Sequence, residues 1–469
     1  MDREESRALY DSLEYATYRI CYVITDDGFK LVVGGKTEEL LLQAVEVLGQ
    51  KIADGSLFDD SGAVTPLEYS HNIYGEYQDF EVVLGEEIVV AQGEKTHWGY
   101  YQFPNITYLA DGSIQLNWSI HNDSATEAWE GPSQEYSVSQ DGGLTWSEKS
   151  YSAGGVAVPS VQMSNGKYFA GFGGRSTFVA DYLHKYTPRA QRYGKTIYLA
   201  DDIEERDRTF TAFEYDPVTK KRTSFVTKVN WPNMPLAVYT GDIVYPTQSF
   251  MSITSADMGT VAIGDALYFC TYANTVGKIS ANFYYGGYYS VFVFKSTDNA
   301  RSWDMISEIH VTPETLDEGM EGFCEPSMDV MPDGSVVMLM RTGGNRPSYL
   351  VRSVDGCMTW SDPVKFDDVG VLPQILTLEC GVTVATYGRD GLFLRATSDY
   401  AGLDWEEHIQ IQLSDPVTHT TQSCYYTRLL PLGKDSFLMA YSDFNYPNQN
   451  GEGTLKTVLV RKITIVPKS

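Results

Sequence analysis

The side chains able to do chemistry gather in four short stretches. In GFCEPSMDVMPDGSVVMLMRTG, Glu325 and Arg341 stand 16 positions apart across one strand, a Pro-Asp-Gly turn and a returning strand. A hairpin of that length brings its two ends together. Arg389 lies in the Gly-Arg-Asp-Gly turn of VTVATYGRDGLFLR, where its side chain is free of sheet packing. Guanidinium forks bind carboxylates through paired N–H bonds, so Arg341 and Arg389 together suit an acidic group. The stretch SCYYTRLLPLGKDSFLMAYSDF offers the phenols of Tyr425 and Tyr426, with Asp443 lying 17 positions after Tyr426. In NWSIHNDSATEAWEG, His121 is one of only seven histidines, and an imidazole titrating near neutrality suits proton abstraction or donation. His97 is the alternative histidine. The sequence has no HExxH, no CxxC pair and no EF-hand loop, so it offers no metal-ligand set of plausible spacing.

These stretches need a scaffold, and composition points to one made of strands. Of 469 residues 43% are apolar, 13% aromatic and only 21% charged, a profile of packed sheets. From about Val89 onward helical periodicity nearly vanishes. Short β-rich runs such as YFAGFGG, VAIGDALYFCTY, YYSVFVFKS and SVVMLMR alternate with Gly, Asp and Asn turns. Roughly 380 such residues exceed one sandwich, and radial repetition of four-stranded blades is the common solution. An internal repeat supports it: SQDGGLTW (139–146), STDNARSW (296–303) and SVDGCMTW (353–360) share Ser-x-Asp-x-x-x-Ser/Thr-Trp. A fourth copy, TSDYAGLDW (397–405), carries one extra residue. The Asp bonds backbone amides inside its turn and the Trp ring buries against its own blade, so Asp141, Asp298 and Asp355 are structural and Trp146, Trp303 and Trp360 are expected to be largely buried.

The repeat gives the chain its resemblance to the sialidase and Asp-box (BNR repeat) superfamily, whose six-bladed propeller carries such turns. That resemblance implies a mainly β fold, with residues 89–469 as the propeller and residues 1–88 as a small α/β domain before it. It implies roles as well. Glu325 resembles the glutamate that activates a tyrosine nucleophile, Tyr426 that nucleophile, Arg341 and Arg389 members of a carboxylate clamp, and Asp443 a carboxylate that orients an arginine. A neutral phenol beside a glutamate can attack an anomeric centre flanked by a substrate carboxylate, where a second carboxylate would be repelled. Asp123, 21 residues past Gln102, falls where the family keeps its general acid. One departure stands at the front of the propeller: where sialidases open with Arg-Ile-Pro, this chain has Gln102-Phe103-Pro104, which leaves the clamp short of one charge.

The function so implied is an exo-acting glycoside hydrolase that cleaves a terminal, possibly acidic, sugar with a Tyr426/Glu325 pair and no cofactor. Two rivals differ in class. A propeller lyase or rhamnose-releasing enzyme would rest on His121, and a glycan-binding propeller would need no catalytic residue. The formal charge of −27, from 35 basic and 62 acidic residues, repels phosphate backbones and anionic lipid surfaces, so nucleic acid and membranes are excluded as expected partners while a carbohydrate is not.

The opening sequence MDREESRALYDSL lacks a secretory pattern, which points to the cytoplasm. Six cysteines without paired spacing read as buried free thiols. At the N-terminus, Asp2 and Glu5 form a capping box for a helix reaching about Leu13. YRICYVITDDGFKLVVGG gives two strands around Asp26-Asp27-Gly28, and Thr37 caps a helix with Leu41, Ala44, Val45 and Leu48 on one apolar face.

Overall fold

The computed structural model describes residues 17–25, 28–35, 38–53, 69–72, 75–94, 98–122, 131–173, 187–188, 190–192, 195–199, 202, 210–232, 235–239, 259–274, 288–312, 315, 320–343, 346–389, 391–412 and 426–468. Strands dominate. The N-terminal unit has β1 (Thr17–Thr25) paired with β2 (Gly28–Gly35), helix α1 (Glu38–Ala53) and β3 (Tyr69–Asn72), in sheet order β2-β1-β3. Thr25 pairs with Gly28, so the hairpin turns where the Asp-Asp-Gly sequence dictates. The helix packs differently from expectation. Ala44, with Val47 and Leu48, meets Ile20 and Val33, whereas Leu41 and Val45 are 38% and 52% exposed. The sheet thus takes up the side of the helix next to the expected face. The capping box at Asp2 and the cap at Thr37 lie outside the described residues.

Next comes β4 (Phe80–Gly93), then the blades. The first has β5 (Gln102–Leu109), β6 (Ile114–Ser119) and β7 (Gln134–Ser139), with β8 (Ala157–Val158) paired to β5. The second has β9 (Val161–Gln162) and β10 (Tyr168–Gly173), continued after the hairpin β11 (Ala190–Arg192) and β12 (Lys195–Leu199) by β13 (Phe210–Asp216) and β14 (Lys221–Asn230). β15 (Pro235–Tyr239) joins β12 in a separate small sheet. The third blade is β16 (Thr260–Ile263), β17 (Ala266–Asn274), β18 (Tyr289–Ser296) and β19 (Ser302–Ile309), and the parallel pairing of β14 with β19 fuses blades two and three into one eight-stranded sheet. The fourth is β20 (Cys324–Val330), β21 (Val336–Arg341), β22 (Ser348–Ser353) and β23 (Val364–Asp367). The fifth is β24 (Val371–Thr377), β25 (Thr383–Gly388), β26 (Leu392–Thr397) and β27 (Ile409–Gln412). The sixth is β28 (Thr427–Pro431), β29 (Ser436–Pro447) and β30 (Thr454–Pro467), completed by β4. This is a six-bladed propeller. Its ring closes because β4, from the front of the chain, supplies the outer strand of the last blade. The propeller therefore starts at Phe80, nine residues before Val89.

Blade-on-blade packing follows from strands buried on both faces. In β21 the run Val336 to Met340 is wholly buried, and its alternation splits it: Val336, Met338 and Met340 join the core shared with blade three, while Val337 and Leu339 join the core shared with blade five. Such cores fill the interfaces of blades two and three, three and four, four and five, five and six, and six and one. The thiols of Cys270, Cys324, Cys357 and Cys380 are free and buried in or beside these layers, as expected, and Cys21 and Cys424 are not described at side-chain level.

The repeat turns follow the third strands of their blades. Asp141 accepts from the Leu144 and Thr145 amides at 3.1 and 2.9 Å and from the Thr145 hydroxyl at 2.6 Å. Asp355 repeats the set with Met358 and Thr359, and Asp298 with Ser302. The fourth copy works in spite of its extra residue, since Asp399 accepts from the Leu403 and Asp404 amides at 2.8 and 3.0 Å. Burial of the tryptophans is uneven. Trp303 is fully buried, as expected, but Trp146 and Trp360 are only partly so, each packed against the margin of a core layer. These hydrogen bonds hold the Asp141 and Asp355 carboxyls down at about 2, with the side-chain bonds to Thr145 and Thr359 the largest cause. A carboxyl lowered on folding adds stability above its unfolded pKa and loses it as pH falls through the folded value. Thermal melting should therefore drop between pH 4 and pH 2, and Asp298→Ala should cost about 1–2 kcal/mol while leaving turnover unchanged.

The six inner strands enclose a central channel of about 830 Å³, lined among others by Asn105, Thr107, Ser327, Asp329, Gln374 and Arg428. Burial raises the Asp329 carboxyl to about 6, opposed by the Thr377 and Val330 amides that donate to it. The native protein then keeps a proton that the unfolded chain loses between pH 4 and 6, so stability falls as pH rises through that window. Asp329→Asn should remove this penalty, on the order of 2–3 kcal/mol, and denaturant melts at pH 7.5 should read it as a gain over the unsubstituted protein.

Candidate active site

In a four-stranded blade the first strand begins, and the second ends, at the same face of the ring. Gln102 opens β5 and Glu325 is the second residue of β20, while Tyr426 immediately precedes β28. Arg341 ends β21, Arg389 follows β25, Asp443 lies near the end of β29 and His121 follows β6. All seven therefore belong to one face. The Ser-x-Asp turns, following the third strands, belong to the other.

Three inner strands share an irregularity just below that face. Register shifts fall between Gln102 and Asn105, between Cys324 and Ser327, and between Val371 and Gln374. Each holds a residue in the left-handed region, Phe103 (φ 52°), Glu325 (φ 44°) or Leu372 (φ 41°), and each such residue precedes a proline, Pro104, Pro326 or Pro373. A bulge is where a strand tolerates proline and where a side chain is re-aimed. Glu325 is turned by it out of the strand's alternation, at a backbone cost typical of functional positions.

The Glu325 carboxylate is the hub. Its Oε1 accepts from Arg341 Nη1 at 2.7 Å and from the Tyr426 hydroxyl at 3.2 Å, and its Oε2 accepts from the Leu372 amide at 3.0 Å. Cys324 pairs with Arg341 across the hairpin, so the two hairpin ends meet as the spacing predicts. Burial opposes the Arg341 charge, but the neighbouring Glu325, with Cys324 and Tyr426, outweighs it and holds the guanidinium pKa above its ordinary value. The Cys324 thiol is pushed well up by burial and by Glu325, which leaves it inert. Tyr272, near the end of β17, is a neighbour that sequence reasoning missed. Burial, with the Glu325 charge adding, pushes its phenol well above the ordinary range, so it stays neutral beside the hub.

Gln102 and Arg389 flank this hub through intermediaries. The Phe103 ring lies 5.1 Å from the Tyr426 ring. Gln102 itself is fully buried, and its Oε1 accepts from the Gly99 amide. Next to Gly99, the Trp98 ring lies 5.8 Å from the Arg389 guanidinium. Arg389 sits in its turn at φ 63°, its own amide donating to the Gly391 carbonyl at 3.1 Å. Asp443 accepts from Gln412 Nε2 at 3.2 Å and from the Asn445 amide at 2.7 Å. The described residues show no ion pair between Asp443 and either arginine. His121 Nδ1 is 2.8 Å from the Asn122 carbonyl, which only an N–H can satisfy, so Nδ1 carries a proton. Asp123, Tyr425 and His97 lie outside the described residues. Trp98, like Tyr272, had no pattern to mark it, whereas the X-Pro recurring at the start of three inner strands was a readable sign of the bulges. No group of three or more His, Cys, Asp or Glu among the described residues is placed to hold a metal ion, and no helix there is long and apolar enough to cross a membrane.

Comparison with known proteins adds a family to this geometry. Residues 266–454 match the BNR repeat-like domain. No curated protein matches the chain. Among solved structures, a protein of unknown function from Dyadobacter fermentans is 16% identical, with a TM-score of 0.45, over 82% of this chain and 99% of its own. An alpha-L-arabinanase from Penicillium chrysogenum, complexed with arabinobiose, is 12% identical, with a TM-score of 0.42, over 81% and 98%. A leech intramolecular trans-sialidase is 14% identical, with a TM-score of 0.39, over 92% and 73%. The repeat turns, the closed ring of six blades and the family match agree, and the chain carries a BNR repeat-like domain over residues 266–454 of a six-bladed propeller.

Proposed function

We propose that this protein is an exo-acting glycoside hydrolase that removes a terminal sugar through a Tyr426–Glu325 pair. The observation that carries this reading is the 3.2 Å hydrogen bond from the Tyr426 hydroxyl to Glu325. A phenol of pKa near 10 is a poor nucleophile at neutral pH unless a base takes its proton as the bond forms. Glu325 accepts this bond and two others, from Arg341 and the Leu372 amide, which hold its carboxylate in place. The proton then moves with attack of Tyr426 oxygen on the anomeric carbon. As that bond forms, the glycosidic bond breaks and the leaving oxygen takes a proton from Asp123 or His121. Water, deprotonated by the same acid–base group, cleaves the aryl glycoside bond between sugar and tyrosine, and the departing Tyr426 oxygen takes its proton back from Glu325. Two displacements at one carbon give retention. A screen of chromogenic glycosides, including a sialoside, followed by nuclear magnetic resonance of the first-formed anomer tests this, and an inverted product would overturn it.

A second reading is a lyase that uses His121 as base. The hydrogen bond that keeps the proton on Nδ1 leaves Nε2 as the acceptor in the neutral ring. An unsaturated product absorbing in the ultraviolet, abolished in His121→Ala and untouched in Tyr426→Phe, would favour it.

A further inference from the structure

At this face the hydrogen-bonding capacity left over is mixed in kind. Gln102 donates nothing: with Oε1 taken by the Gly99 amide, its amide orientation is fixed and its buried Nε2 has no partner. Arg341 Nε and Arg389 Nε are buried and unpartnered too. On the acceptor side, Gln412 gives Nε2 to Asp443 and so leaves its buried Oε1 unpartnered. Buried polar atoms without partners are rare and costly, a penalty of about 1–3 kcal/mol each, so a cluster of them in one place asks for a ligand that completes it. A carboxylate supplies acceptors alone. Sugar hydroxyls supply both donors and acceptors and can satisfy Gln102 Nε2 and Gln412 Oε1 together without a charge.

Charge argues the same way. Two guanidiniums, Arg341 and Arg389, stand against two carboxylates, Glu325 and Asp443, and Arg341 is already paired to Glu325 at 2.7 Å. Arg341 is therefore neutralised before a ligand arrives. An anionic sugar would have to compete with Glu325 for Arg341, whereas a neutral one leaves that pair intact.

Resting on the glycoside hydrolase reading above, we infer that Gln102 is the residue that sets specificity, and that the terminal sugar is uncharged. Its amide gives a directed hydrogen bond where a guanidinium would give a charge. The test is a panel of nitrophenyl glycosides, neutral pentosides and hexosides beside a sialoside, on the full chain and on Gln102→Arg and Gln102→Glu. The best neutral glycoside should exceed the sialoside in kcat/KM by at least about a hundredfold. Gln102→Arg should narrow that ratio at least tenfold, mainly through KM. Gln102→Glu keeps shape but replaces the donor by an acceptor, and should raise KM for the neutral substrate about tenfold with its melting temperature little changed. A wild-type preference for the sialoside, or a ratio indifferent to both variants, overturns the inference while the hydrolase reading stands. If no glycoside is cleaved, the hydrolase reading falls instead, and calorimetric titration decides the inference: wild type must bind methyl glycosides of the neutral sugars over N-acetylneuraminic acid, and Gln102→Arg must bind that acid at least tenfold more tightly than wild type does.

Discussion

Tyr426→Phe is expected to lower turnover at least roughly a thousandfold, Glu325→Gln to do nearly as much, and the double variant to be little worse than either, because residues that act as a unit lose their effect together. The geometry explains the expected pattern. With the phenol gone, Glu325 keeps Arg341 and the Leu372 amide but has no proton to receive. With Glu325→Gln the phenol keeps its proton, and the pairing that balances Arg341 is lost as well. That second loss should appear as a fall in melting temperature in Glu325→Gln but not in Tyr426→Phe, since removing one partner of a buried ion pair leaves the other uncompensated. Additive losses in steady-state kinetics would mean two separate roles, and near-normal turnover in Tyr426→Phe would end the tyrosine mechanism.

Deleting residues 1–93 should abolish folding of the propeller, whereas deleting residues 1–74 should leave it folded. The difference is β4. It pairs with β30 from Lys456 opposite Gly93 to Pro467 opposite Phe80, and Ala91 and Phe80 enter the cores on either side of the sixth blade. Tyr77, kept by the shorter deletion, adds a hydrogen bond to Asp435 at 3.0 Å. Without β4, the β30 edge is bare and two layers lie open, the condition under which sheet edges aggregate. Circular dichroism and size-exclusion chromatography of the two truncations read the outcome directly, and a folded, monomeric 94–469 fragment would contradict it.

Much of this was legible in the sequence, and the reason is local. The Ser-x-Asp turns satisfy their hydrogen bonds within five or six residues, so their pattern survives without the rest of the fold, and three good copies were enough to fix radial repetition. The Glu325–Arg341 hairpin was legible for the same reason, its meeting point set by a turn between two short strands. What sequence reading missed is held by distant partners. The strand Phe80–Gly93 carries Gly85 and three glutamates, Glu81, Glu86 and Glu87, which break a simple apolar alternation, and its partner β30 lies at the other end of the chain. Tyr272 and Trp98 reach the site only because neighbouring blades bring them there. Trp146 and Trp360 follow the repeat yet stay partly exposed, because burial depends on the adjoining blade and not on the turn.

The closure of the ring has a consequence in time. During synthesis β4 leaves the ribosome more than three hundred residues before β30, and at about 5–20 residues per second that interval lasts between roughly 20 and 80 s. Over it the chain carries an unpaired strand at one end and a growing, open arc of blades at the other. Blades one to five can order as they appear, each on the one before, but the sixth cannot be completed until the last strand is made. Final locking is therefore a single late event that joins the oldest part of the chain to the newest, and a cell making this protein must keep β4 from other strand edges until then.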